Sequence, residues 1–92
     1  MSPEATWHGE TVFVWYVYFL KLKNDDVYVG STNDLKRRFA SHLAGQVLST
    51  KPFLPAKLKS YVAVENETLA RELERYFKSG SGKAFAGKRF WS

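Results

Sequence analysis

Between Thr11 and Lys23 the chain carries β-branched and aromatic residues in which both alternating sets are apolar. Val12, Val14, Tyr16, Tyr18, Leu20 and Leu22 point one way, and Phe13, Trp15, Val17 and Phe19 the other. A strand apolar on both faces is covered on both, so this segment is read as the central strand of a sheet. Lys23-Asn24-Asp25-Asp26 is turn chemistry, because Asn and Asp bond their own backbone and tolerate positive φ. Val27 to Gly30 then returns as an antiparallel partner. Ser31, Thr32 and Asn33 offer helix caps, and Asp34 suits a helix N-terminus. From about Asn33 to Leu43, the i, i+4, i+8 recurrence of Leu35, Phe39 and Leu43 predicts a helix whose core stripe has Arg38 and His42 along one edge.

Gly45 to Pro55 holds one glycine, two prolines and scattered polar residues, a loop composition. Lys57 to Val64 alternates and is read as a third strand. Asn66 can cap a second helix over Glu67 to Lys78, with Leu69, Ala70, Leu73, Tyr76 and Phe77 on its apolar face and Gly80 and Gly82 ending it. The tail keeps Phe85, Phe90 and Trp91 and is expected to pack back onto the body. Residues 1–10 are small and polar, a flexible N-terminal arm, and residues 11–92 form one domain. The β-β-α-β-α order predicts an α+β fold, a three-stranded antiparallel sheet flanked by helices.

Composition narrows the classes. Ninety-two residues support one compact core, and 16% aromatics give that core bulk. The absence of cysteine excludes a disulfide framework, a thiolate zinc site and a cysteine nucleophile. No apolar run approaches the ~18 residues of a membrane span, so a soluble, cytoplasmic protein with no membrane partner is expected. Fourteen Lys and Arg against nine acids give a net charge of +5, the balance of a polyanion binder.

Three groups of residues can carry chemistry. Tyr18 and Tyr28 stand ten positions apart on adjacent strands just before Gly30; they either pack as ordinary strand tyrosines or converge their hydroxyls. Arg38 and His42 either lie on a solvated helix edge or face a cleft, where the planar guanidinium suits phosphate. Glu74, at the boundary of the second helix's apolar face, either pairs with Arg71 or Lys78 or binds a hard divalent cation through oxygen. This inventory can cleave a phosphodiester or simply bind one.

At this point the chain resembles the GIY-YIG endonuclease family, and most of all its single-domain bacterial branch. Tyr16-Val17-Tyr18 stands at the GIY motif and Tyr28-Val29-Gly30 at YIG. Thr32, Leu35, Arg38 and His42 fall on the family's T-x-x-L-x-x-R-x-x-x-H run, and Ala70, Glu74 and Lys78 on its A-x-x-x-E-x-x-x-K segment. The resemblance implies a metal-dependent endonuclease acting on DNA, whether structured, damaged or single-stranded, with repair or recombination as the setting. Carried over by position, Glu74 is the sole protein ligand of Mg²⁺ or Mn²⁺, which polarises the phosphate and stabilises the leaving oxygen. Tyr28 is the general base, Arg38 neutralises charge on the phosphate, and Tyr18 and His42 orient water or take part in proton transfer. Two positions depart from the pattern: Tyr16 replaces the glycine of GIY, and Ser31 stands where some branches carry lysine. The alternative is a nucleic-acid-binding module of the same fold with little or no cleavage.

Overall fold

The computed structural model describes residues 4–7 and 10–89, with side chains from residue 14 onward. The first elements are β1 (Glu4–Trp7), β2 (Glu10–Phe13), β3 (Trp15–Lys21), β4 (Val27–Thr32) and α1 (Leu35–Leu43). After a short 3₁₀ turn at Lys51–Phe53 come β5 (Lys57–Val64), α2 (Glu67–Lys78) and α3 (Gly80–Arg89). Three strands form an antiparallel sheet in the order β4-β3-β5, with β3 central as its two apolar faces require. Tyr16, Tyr18, Leu20 and Leu22 pack with Leu35 and Phe39 of α1. Val17 and Phe19 on the opposite face pack with Ala70, Leu73 and Phe77 of α2 and Ala86 of α3.

The long strand expected over Thr11–Lys23 is divided at Val14. Before it, β2 pairs only with β1, in register Glu4↔Phe13 to Trp7↔Glu10; after it, β3 joins the three-stranded sheet. Alternation of apolar residues continues through such a change of partner, so it gives no sign of the break. The helix cap after β4 is Asp34, not an earlier residue: its carboxylate accepts from Arg37 N at 3.1 Å. Thr32 instead holds the connecting loop, accepting from Asp34 N at 3.1 Å.

Gly80 and Gly82, expected to end α2, instead lie inside the next helix, α3. Ser79 closes α2 and its Oγ accepts from Gly82 N at 3.2 Å. A Cβ on Gly82 would overlap the carbonyl oxygen of Tyr76, so glycine here permits the close approach of α3 to α2. The tail packs back through Gly82 and Ala86, whereas Phe85 stays exposed under the Arg89 guanidinium, 4.4 Å from its ring centre. Phe90 and Trp91 lie outside the described residues. Among the described residues no helix is long and apolar enough to cross a membrane.

The Asn66 side chain accepts from Leu69 N at 2.9 Å and starts the helix that carries Glu74. Asn66→Ala is expected to cost about 1 kcal/mol of stability, read as a lowered midpoint in thermal unfolding.

Candidate active site

The site forms at the outer edge of β4, where side chains from both faces of the sheet meet. Tyr18 lies on central β3 directly opposite Gly30 of β4. A Cβ on Gly30 would stand 2.5 Å from Cζ of Tyr18. Glycine at this position therefore leaves the volume through which the Tyr18 ring reaches toward the sheet edge. Tyr28, two residues earlier on β4, is half-buried, with its ring centre 6.2 Å from that of Tyr18.

From α1, His42 comes up beneath both phenols. Its ring centre is 5.7 Å from that of Tyr18 and 5.0 Å from that of Tyr28, and the residue is 0% exposed. His42 thus faces no cleft; of the two edge residues on α1, only Arg38 remains partly open to solvent. Both imidazole nitrogens are engaged: Nε2 lies 2.8 Å from the Tyr18 hydroxyl and Nδ1 2.9 Å from Thr50 Oγ1. Thr50 is itself fully buried and donates to the Val47 carbonyl. That bond leaves Thr50 Oγ1 to accept from Nδ1–H, so we assign Nε2 as the acceptor of the Tyr18 O–H. The Tyr18 oxygen is then free to accept from the Arg38 guanidinium, which also lies against the Tyr28 hydroxyl.

The electrostatics follow from burial and these partners. Burial pushes the Tyr18 hydroxyl up to about 12, which Arg38 only partly offsets. Tyr18 is accordingly a protonated donor at neutral pH. Burial, then the positive charge of Arg38, pushes His42 down to about 4. The imidazole is therefore neutral and accepts the Tyr18 O–H.

A folded-state value near 4 against 6.5 in the unfolded chain has a consequence for stability. The unfolded chain binds the extra proton first, so this contribution is intact above about pH 6.5 and is lost as pH falls toward about 4. Between neutral pH and about pH 4 the wild type is expected to lose on the order of 2 kcal/mol more stability than His42→Gln, measured by urea unfolding.

From the other face, α2 delivers Glu74. Its Oε1 accepts from Ser31 Oγ at 2.5 Å and its Oε2 from Lys78 Nζ at 2.7 Å. Burial works to raise the carboxyl, but the hydrogen bonds from Lys78 and Ser31 and the charges of Lys78 and Arg71 outweigh it and hold it below its ordinary value. Lys78 also stands 5.7 Å from the centre of the Tyr28 ring, so it links carboxylate to phenol. The five residues singled out in the sequence are thus brought to one strand edge, with Glu74 joined to the rest through Lys78.

A divalent cation is the group the sequence pattern implies here. Among the described residues no three His, Asp or Glu side chains cluster, and of the five residues gathered at this edge Glu74 is the one carboxylate. Glu74 is ionised, 22% exposed at its side chain, and uses two of its roughly four lone-pair sites on Ser31 and Lys78. A single hard oxygen ligand, with remaining positions filled by water and phosphate, fits Mg²⁺ or Mn²⁺ and does not fit a softer metal. Ser31 and Thr50 are site contacts that sequence reasoning missed. Ser31 was visible only as a helix-cap candidate and a missing lysine, and Thr50 lies in a loop without periodicity.

A family model described as the GIY-YIG catalytic domain matches residues 14–88. A UPF0213 protein of Cupriavidus necator is 50% identical over 32 residues, covering 35% of each chain. One from Cupriavidus pinatubonensis is 36% identical over 78 residues, covering 80% of this chain and 87% of the other. The chain spans less than two thirds of the length of several curated relatives it matches. The solution structure of the UPF0213 protein BH0048 from Bacillus halodurans superposes with a TM-score of 0.55 at 26% identity, over 86% of this chain and 88% of that one.

Proposed function

The chain belongs to the GIY-YIG family, a nuclease-type family, and on that premise we propose that it is an endonuclease hydrolysing DNA phosphodiesters with one divalent metal. The observation that carries this reading is the meeting of Tyr18, Tyr28, Arg38 and Glu74 at the edge of β4, delivered from both faces of the sheet. Arg38 binds non-bridging phosphate oxygens and neutralises the charge that grows on them. Tyr28, half-exposed between Arg38 and Lys78, takes the proton of the attacking water. Tyr18 does not act as a base, because burial keeps its hydroxyl protonated; its O–H is donated to His42 Nε2 and its oxygen positions Arg38. Glu74 would hold Mg²⁺ or Mn²⁺, which supplies electrostatic stabilisation of the phosphate in the transition state. Ser31 and Lys78 fix the carboxylate in its ionised form. The chain would then serve DNA repair or recombination.

Removal of metal tests this reading directly. Labelled nicked, branched and single-stranded DNA is expected to be cut in Mg²⁺ or Mn²⁺, to survive intact in excess chelator, and to be cut again when metal is restored. Binding without turnover under any of these conditions would favour a binding module instead.

A further inference from the structure

Along the flank of α2 that borders the site, Arg71, Arg75 and Lys78 follow one another at i, i+4 and i+7 with Glu74 among them, lining a groove of about 290 Å³. Each end of this stripe is anchored. The Arg71 guanidinium sits 5.9 Å from the centre of the Trp15 ring and bonds Glu67 Oε2 at 2.7 Å. Lys78 bonds Glu74 and overlies Tyr28. Arg75, between them and exposed, has no acidic partner among the described residues. In the last turn of α2 this cation suits the helix dipole, a role that any basic residue there fills without entering the groove. It adds neither core packing nor an ion pair, yet it is aimed into the same groove as the metal-fitting carboxylate.

We infer that this stripe is a binding track for the phosphates that neighbour the scissile one, with Arg75 as its free contact. The track rests on the nuclease reading for its substrate. Seven residues of helix span about 10 Å, and a nucleic-acid strand rises about 3.4 Å per nucleotide, so the stripe covers about three nucleotide steps. Arg71 and Lys78, held by Trp15, Glu67 and Glu74, are fixed at its ends, and the strand supplies the anion that Arg75 lacks. A strand running along α2 also passes Glu74 and the Tyr28 face of β4, which brings its phosphodiester to Arg38 from the open side of the sheet edge.

Fluorescence anisotropy of a labelled DNA strand with metal-free protein, repeated over a range of salt concentrations, counts phosphate contacts from the slope of log affinity against log salt. Arg75→Gln is expected to weaken binding about fivefold and to reduce the slope by about one, and Arg75→Glu to do more. Lys59→Gln, on the opposite edge of the sheet in β5, removes the same charge and is expected to leave the slope nearly unchanged. In cleavage assays Arg75→Gln is expected to raise KM more than it lowers kcat. Equal slope changes for Arg75→Gln and Lys59→Gln would overturn the track while leaving the nuclease reading intact. A strand bound through Arg75 but never cut would support the track and refute the nuclease reading. A strand that does not bind the metal-free protein at all would overturn the track, and the metal-dependent cleavage assay then decides the nuclease reading separately.

Discussion

Glu74→Gln is expected to reduce DNA cleavage by at least about 10²–10³-fold while leaving the fold and DNA binding in place. The substitution keeps the shape of the side chain. Its amide oxygen can still accept from Ser31, as Oε1 does now, and the half-buried position beside Ala70 and Phe77 remains filled. What disappears is the negative charge, and with it the one hard anionic ligand that this face of the site provides. Circular dichroism and the thermal midpoint check that the protein is folded, and a cleavage assay in Mn²⁺ reads the loss. A variant that cuts within tenfold of wild type would remove Glu74 from the chemistry and direct attention to a contaminating nuclease.

Gly30→Ala is expected to lower stability by about 1–3 kcal/mol, as overpacking does, and to abolish cleavage. The added methyl would collide with the Tyr18 ring at its hydroxyl end. Gly30 is on β4 and Tyr18 on buried β3, so neither can retreat without disturbing the sheet pairing between them. If the ring rotates away instead, it leaves His42 Nε2 without its donor in a fully buried place, and Arg38 loses its principal partner. Urea unfolding and the cleavage assay together check both effects. A variant of wild-type stability and activity would mean that the Tyr18 ring has no fixed position, contrary to the hydrogen-bonded arrangement described above.

Much of the fold was legible because its signals are local. The two apolar faces of Trp15–Lys21 placed that strand in the middle of the sheet, and the Asn66 cap with the apolar stripe after it set the bounds of α2. α3 was not legible. Its glycines carry no helix signal, and their use is a close approach to the Tyr76 carbonyl, a tertiary contact that sequence spacing does not contain. The same division holds in the site. Motif spacing picked out Tyr18, Tyr28, Arg38, His42 and Glu74. It left His42 between a solvated helix edge and a cleft, whereas burial and Thr50 make it a neutral partner of Tyr18. The pairing of Glu74 with Lys78 was one reading of helical spacing, but the face of the sheet from which Glu74 approaches, and its bond to Ser31, 43 positions away, emerge only from packing.

The central claim is that a carboxylate from one face of the sheet and phenols and an arginine from the other act together at the edge of β4. Anomalous scattering from crystals soaked in Mn²⁺ tests it most directly. The account predicts one strong peak bonded to a Glu74 carboxylate oxygen, on the side of α2 that faces Tyr28 and Arg38. A peak elsewhere on the protein, or none at saturating Mn²⁺, would contradict it.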